Sequence, residues 1–130
     1  MDNTLLQIVP IVNPLDHLIY IENTCFPEDT LTISELRTFW DLNRVILLEE
    51  GCLLFIPSKE ETRIYSIAVL PEHRGKGIAK CLIDKLGDIR LTLECKKDNV
   101  DLYVHLGFVV VGEIANYYEN GETAYKMLRL

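Results

Sequence analysis

The stretch "SIAVLPEHRGKGIAKCLIDKL", Ser66 to Leu86, is the one on which the architecture turns. An apolar run stops at Pro71, and Arg74-Gly75-Lys76-Gly77-Ile78-Ala79 then leads into apolar residues at helical spacing. The order is strand, proline, basic glycine turn, helix. Glycines let main-chain N–H groups approach an anion closely. A helix start adds unpaired donors and about half a positive charge. The pattern fits a cradle for a pyrophosphate, with Arg74 and Lys76 as mobile positive charge, and it equally fits a tight turn with solvated basic residues. The phosphate-loop pattern GxxxxGK[ST] is absent, and GxGxxG is incomplete because Gly75-Lys76-Gly77 supplies only its first half. Spacing alone leaves both readings open.

Outward from this segment, "TRIYSIAVL" is the strand that feeds the turn, and "IAKCLIDKLG" is a helix closed by Gly87. "RLTLEC" is a further strand and "NVDLYVHLG" a short helix ending at another glycine. "FVVVGEIA" and "AYKMLRL" are two last strands around "NYYENGE", where Asn120-Gly121 is a hairpin-turn signal. Upstream, "RVILLEEGCLLFIPS" reads as a hairpin around Glu49, Glu50 and Gly51. "LDHLIYIENTCF" has apolar residues at helical spacing, and Thr32 or Ser34 caps a short helix holding Leu36, Phe39 and Trp40. "TLLQIVPIV" reads as a first strand, an edge strand because Pro10 cannot donate to a ladder. The predicted order is β-α-α-β-β-β-α-β-α-β-β, an α/β (mixed α+β) fold whose mixed sheet is covered by helices.

The 130 residues are read as one domain, 1–130, with an ordinary globular balance of 48% hydrophobic and 25% charged residues. No apolar run approaches the ~18 residues of a membrane span. The N-terminus has Asp2 in place of a basic cluster, which argues against a signal peptide. Cys25, Cys52, Cys81 and Cys95 lie far apart with no CxxC pair and no nearby histidine, so reduced thiols are expected, with no disulfide frame and no metal. A net charge of −7 disfavours nucleic acid as a partner and leaves room for a cationic one. His17, His73 and His105 form no catalytic or ligand spacing.

Arg74-x-x-Gly77-x-Ala79 resembles the R/Q-x-x-G-x-G/A signature of the GCN5-related N-acetyltransferases, and Ile67-Ala68-Val69 resembles that family's fourth strand. "LECKKDN" with "LYVHLGF", the "NYYENGETAYKM" hairpin and "CFPED" are similar to segments of the peptide N-terminal acetyltransferases, most of all the ribosomal-protein alanine type. The resemblance implies a mostly antiparallel mixed sheet, splayed between its fourth and fifth strands, with pantetheine on the free edge of the fourth. It implies acetyl-CoA as cofactor, held by Ile67, Ala68 and Val69 of the strand, by Arg74, Gly75, Lys76, Gly77, Ile78, Ala79 and Lys80 of the turn, and by Asn99. The partner it implies is an amine acceptor, with no nucleic acid and no membrane, for a cytoplasmic monomer or weak homodimer.

The same resemblance implies roles by position. Glu94 matches the general base, Tyr103 the acid that protonates the leaving thiolate, and the Val69 N–H the oxyanion donor. Tyr117 and Tyr118 match residues that grip the acceptor, and Glu28 a loop glutamate on the acceptor side that serves as a reserve base. Each has a plainer reading: a strand-end charge, a packed helix aromatic, two strand aromatics. Cys95 lacks an activating base and reads as a buried structural thiol. Relatives keep an asparagine about one helical turn further upstream than Asn99 stands from Tyr103. The expected activity is acetyl transfer from acetyl-CoA to a protein or peptide α-amine. The alternatives are a small-amine or polyamine acetyltransferase and a non-catalytic acyl-CoA-binding module.

Overall fold

The computed structural model describes residues 13–130. The expected first strand lies outside them. The elements that follow are α1 (Pro14–Cys25), α2 (Ile33–Asp41), β1 (Val45–Leu47), β2 (Gly51–Pro57), β3 (Thr62–Val69), α3 (Ile78–Asp84), β4 (Leu91–Cys95), α4 (Val100–His105), β5 (Val109–Ile114) and β6 (Ala124–Arg129). Their order is the expected one. The strands form one mixed sheet in the order β1-β2-β3-β4-β6-β5. β3 and β4, joined through α3, are parallel; the β1–β2, β4–β6 and β5–β6 pairs are antiparallel.

Local chemistry accounts for the helix ends. Asn13 caps α1, its side chain accepting from the Asp16 N–H, and Pro14 occupies the first turn, where a missing N–H costs nothing. Thr32 and Glu35 form a reciprocal capping box on α2. Past the end of α2, Asn43 takes φ +59°, a left-handed stop that asparagine tolerates.

By packing, the described chain divides into two compact units, one running up to Leu54 together with Ser66–Lys85, the other comprising Phe55–Tyr65 and Leu86–Leu130. In the first, Leu18, Ile21, Leu36, Cys52, Leu54 and Leu70 form a buried cluster, with Phe39 and Trp40 against it. Each fully buried leucine stabilises by about 1.5–3 kcal/mol relative to exposure. Gly51 opens β2 so close to β3 that a Cβ there would stand 2.4 Å from the Ala68 carbonyl oxygen. In the second unit, β4 buries Leu91, Thr92, Leu93 and Cys95 and pairs with β6 along its whole length, from Leu91↔Arg129 to Cys95↔Tyr125. Phe108 and Met127 are buried beside it. β5 is the outermost strand of the described sheet; Val109, Val110 and Val111 are all exposed, and the register slips between Val110 and Gly112.

The β3–β4 ladder covers Thr62↔Leu91 and Arg63↔Thr92 and goes no further. Ile64 to Val69 therefore carry no ladder to β4, as expected of strands that part. The Asn120-Gly121 signal is realised as a wider loop, 115–123, and not as a two-residue turn. Gly121, at φ +86°, ends a turn closed by its N–H on the Tyr118 carbonyl.

Candidate active site

The glycine turn is built by its backbone. β3 ends at Val69, Pro71–His73 make a 3-10 turn, Arg74 is extended, and Gly75 and Gly77 sit at φ +77° and +80°. That left-handed conformation is what demands glycine, because an added Cβ at either position would meet nothing within 4 Å. No side chain caps α3. Among the described residues none accepts a hydrogen bond from the N–H groups of Gly75 to Lys80. A run of unpaired amides under open space is the arrangement a diphosphate requires. The basic residues behave differently from expectation. Arg74 is not mobile charge: its Nε donates to the Val69 carbonyl at 2.9 Å, fastening the turn to the end of β3. Lys80 pairs with Asp84 at 2.6 Å on the exposed face of α3, and Lys76 is exposed. The unpaired amides are therefore the fixed donors of the turn, and Lys76 is its cation left uncommitted among the described residues. Ile67 and Ala68 lie on the part of β3 that has no ladder to β4. Ile78 and Ala79, in the first turn of α3, are half-buried. The residues present thus fit the diphosphate and pantetheine of coenzyme A, as judged from the free amides and the free strand edge.

The first unit also holds a buried carboxyl. Glu22 is 1% exposed; its Oε2 accepts from Ser66 Oγ at 3.1 Å and from Cys52 Sγ at 3.6 Å. Burial raises its pKa, against the two hydrogen bonds. Burial also raises the Cys52 thiol, helped by the Glu22 charge. Sequence reasoning missed Glu22, yet the signal was there: Leu18, Ile21, Glu22 and Cys25 fall at i, i+3, i+4 and i+7, on the face of α1 that packs inward. Glu28 lies exposed in the turn between α1 and α2.

The second unit gathers the residues expected to do chemistry. Glu94 points away from buried Leu93 and Cys95, as alternation requires. It is not the isolated strand-end charge of the plainer reading. Arg63 Nε donates to Glu94 Oε1 at 2.7 Å, and Arg63 Nη2 contacts the same oxygen. Nη2 also donates to the Tyr117 hydroxyl at 3.1 Å. Burial works against the Arg63 charge, but Glu94 and Tyr117 outweigh it and hold the guanidinium above its ordinary pKa. Tyr117 and Tyr118 lie in the 115–123 loop, not on a strand, with their rings edge to face 5.0 Å apart. Both of their N–H groups donate to the Glu122 carbonyl. Lys96 Nζ lies 5.2 Å over the Tyr118 ring and 3.4 Å from Glu122.

Tyr103 is 8% exposed on α4, edge-on to Phe108. Burial raises its phenol first, with Cys95 and Tyr118 adding to the effect. Burial and its neighbours push the Tyr118 phenol up to about 12. The Cys95 thiol is likewise raised by burial, then by Glu94, and its sulfur contacts Met127 Sδ at 3.6 Å, so it is no nucleophile. Asn99 is exposed and ends the 3-10 turn that runs straight into α4, its side chain capping nothing. Arg63 was not foreseen. Nothing in a single strand's pattern reveals which neighbour it faces, because that depends on the β3–β4 register.

All four cysteines are free, with Cys81 exposed. No cluster of metal-ligating residues occurs among the described residues, and no helix there is long and apolar enough to cross a membrane. A family model described as "Acetyltransferase (GNAT) domain" matches residues 36–110. No curated protein sequence matches the chain. Among solved structures the chain is similar to the ribosomal-protein-S18-alanine N-acetyltransferase from Escherichia coli, at 21% identity over 88% of this chain and 86% of that one, with a TM-score of 0.74. It is similar to the NatC complex bound to Gag peptide and CoA at 21% identity, covering 91% of each chain, with a TM-score of 0.71. It is also similar to aminoglycoside 6′-N-acetyltransferase complexed with coenzyme A, at 16% identity over 90% of this chain and 91% of that one, with a TM-score of 0.73. At such identities the structural likeness speaks for the fold, while the family model spans more than half of the chain: the chain belongs to the GNAT acetyltransferases, enzymes that use acetyl-CoA to acetylate amines.

Proposed function

We propose that the chain acts as a single domain that acetylates the N-terminal α-amine of a protein or peptide, with Glu94 as general base and Tyr103 as general acid. The observation that carries this reading is the Arg63 bridge, which sets the Glu94 carboxylate and the Tyr117 hydroxyl on one guanidinium. A base and a loop that can hold an acceptor's main chain are then neighbours. The resemblance of the hairpin to peptide N-terminal acetyltransferases and the likeness to NatC and the S18-alanine enzyme support the same choice.

The coenzyme supplies an acetyl thioester. The amides of Gly75 to Lys80 and the strand Ile67–Val69 hold it, and Asn99 is assigned to it by family position. An α-amine has a pKa of ~8 against ~10.4 for lysine, so it is the amine a carboxylate deprotonates more readily near neutral pH. Glu94 accepts that proton. Tyr103, buried and with a raised phenol pKa, stays protonated and is able to donate one. Tyr117, exposed, and Tyr118 present a loop edge to the acceptor, with Glu28 assigned to the acceptor side. Free thiols, one of them exposed, fit a reducing cytoplasm.

The net charge of −7 and the likeness to an aminoglycoside acetyltransferase favour a second reading, a cationic small amine as acceptor. Thiol release from acetyl-CoA separates the two across three panels: peptides with a free α-amine, the same peptides blocked at the N-terminus but carrying lysine, and polyamines with aminoglycosides. Turnover confined to the first panel is expected. Turnover confined to the third refutes the α-amine assignment, and coenzyme binding with no turnover anywhere marks a non-catalytic acyl-CoA-binding module.

A further inference from the structure

The assignment of Glu94 as base leaves open which of its oxygens is free to work and what holds the carboxylate still. Both Arg63 contacts fall on Oε1. No described residue donates to Oε2. Buried side-chain oxygens without a partner are absent among the described residues, so Oε2, on a side chain only 11% exposed, keeps a narrow access to solvent. Strand geometry explains the selectivity. Arg63 is in register with Thr92 in the parallel β3–β4 pair, and paired residues share a face; Glu94 stands two residues on and therefore on that face too. The guanidinium reaches along the strand to the near oxygen and leaves the far one clear. Lys126, opposite Glu94 on β6, makes no ion pair with it, so Arg63 is the cation that restrains the carboxylate. Its Nη2 also donates to the hydroxyl of Tyr117, exposed on the acceptor loop.

We infer that Arg63 is the positioning residue of this site: it occupies Oε1 of Glu94, leaves Oε2 as the proton-accepting atom, and ties the Tyr117 hydroxyl to the same guanidinium. In the step this serves, an N–H bond of the acceptor ammonium breaks, an O–H bond forms on Oε2, and the electron pair stays on nitrogen. A planar fork with fixed donors suits this task; a lysine ammonium does not, since one point charge cannot hold the carboxylate and the phenol in a set geometry. The Arg63 side chain is 38% exposed and that of Glu94 11%, so the pair also contributes to the fold, and the test below separates that contribution from positioning. The inference rests on the reading of Glu94 as base, and the test keeps the two apart.

The experiment uses the full chain, acetyl-CoA and three tetrapeptide amides beginning with alanine, serine or methionine, with R63Q, R63K, E94Q, Y117F and R63Q/E94Q compared. Loss of positioning is expected to lower kcat by about tenfold to a hundredfold in R63Q. KM for acetyl-CoA should stay within about twofold, KM for the peptide should rise in R63Q and Y117F alike, and R63K should fall between R63Q and wild type. The decisive reading is the kcat of the double variant: if Arg63 acts on the base through Glu94, R63Q/E94Q has a kcat no lower than that of E94Q, while its peptide KM still rises through Tyr117. Losses of kcat that multiply in the double variant overturn the positioning role and mark a structural one. If E94Q is slow while R63Q matches wild type, the inference about Arg63 falls and the base assignment stands. If E94Q matches wild type, or wild type turns over none of the three peptides, the reading of the site falls and takes the inference with it. Should R63Q fail to fold, R63K with R63K/E94Q carries the same comparison.

Discussion

Gly51 and Gly77 are both glycines for backbone reasons, but the reasons differ, and substituting each by alanine separates them. At Gly51 the new Cβ would lie 2.4 Å from the Ala68 carbonyl oxygen and 3.2 Å from the Val69 Cα, both main-chain atoms that cannot rotate away. Ordinary van der Waals contact begins near 3.4 Å, so β2 and β3 must part by about 1 Å. Overpacking of this kind costs about 1–3 kcal/mol. For a chain of this length that lowers the melting temperature by about 4–10 °C. Because Ala68 and Val69 belong to the strand assigned to the coenzyme, a displacement of this size is also expected to reduce turnover by up to about a hundredfold below the transition. At Gly77, where φ is +80° and nothing lies within 4 Å, alanine meets no clash and bears only the left-handed backbone penalty of about 1–2 kcal/mol. Its Cβ would occupy the open side of the turn, so coenzyme affinity falls more than stability does. Thermal melts by circular dichroism and calorimetric titration with coenzyme A measure both quantities on both variants. A Gly51→Ala protein that melts within a degree of wild type would refute the close-approach argument, and a Gly77→Ala protein with unchanged coenzyme affinity would refute the placement of the diphosphate.

Glu22 has a native pKa raised above its ordinary 4.5, so the native state holds that proton more tightly than the unfolded chain does. Its contribution to stability is fully present below about pH 4.5 and is lost as pH rises through the raised native value; Glu22→Gln should flatten urea midpoints across that range, and parallel wild-type and variant curves would count against it. Thr32→Ala removes the side-chain half of the α2 capping box, the bond that Thr32 Oγ1 accepts from the Glu35 N–H, and should cost about 1 kcal/mol, read as a lower urea midpoint at unchanged slope. Tyr103→Phe keeps the ring packed on Phe108 while deleting the proton donor; turnover should fall about tenfold or more with coenzyme affinity intact, and a variant as fast as wild type removes Tyr103 from the mechanism.

The turn at 74–79 was legible because glycine and proline punctuate a chain strongly and their backbone demands are local. α1 was legible for a similar reason, its apolar period being carried by residues three and four apart. What depends on register or on side-chain choice was not. Arg63 looked like an ordinary strand charge, since only the pairing Arg63↔Thr92 brings it beside Glu94. Arg74 is a turn residue as expected, but its Nε fastens the turn to the Val69 carbonyl, a contact no spacing encodes. The tyrosine pair was expected near the last two strands and lies there, but in the loop: β5 stops at Ile114, and Asn116 takes φ +54° to start a different path. Glu22 stands on the inward stripe that the spacing of α1 marks, but what a carboxylate does there depends on Ser66 and Cys52, which no spacing in α1 names.

The outer strand β5 has a bearing on how the molecule behaves in company. Three neighbouring valines on an unshielded border are what a foreign strand would zip onto, and a concentrated preparation would tend toward insoluble stacks if that border were straight. The slip between Val110 and Gly112 puts one tooth of the zipper out of step, so that a long run of pairing along this side is interrupted. A single irregularity in the backbone thereby shortens the stretch of this border that a second strand can follow.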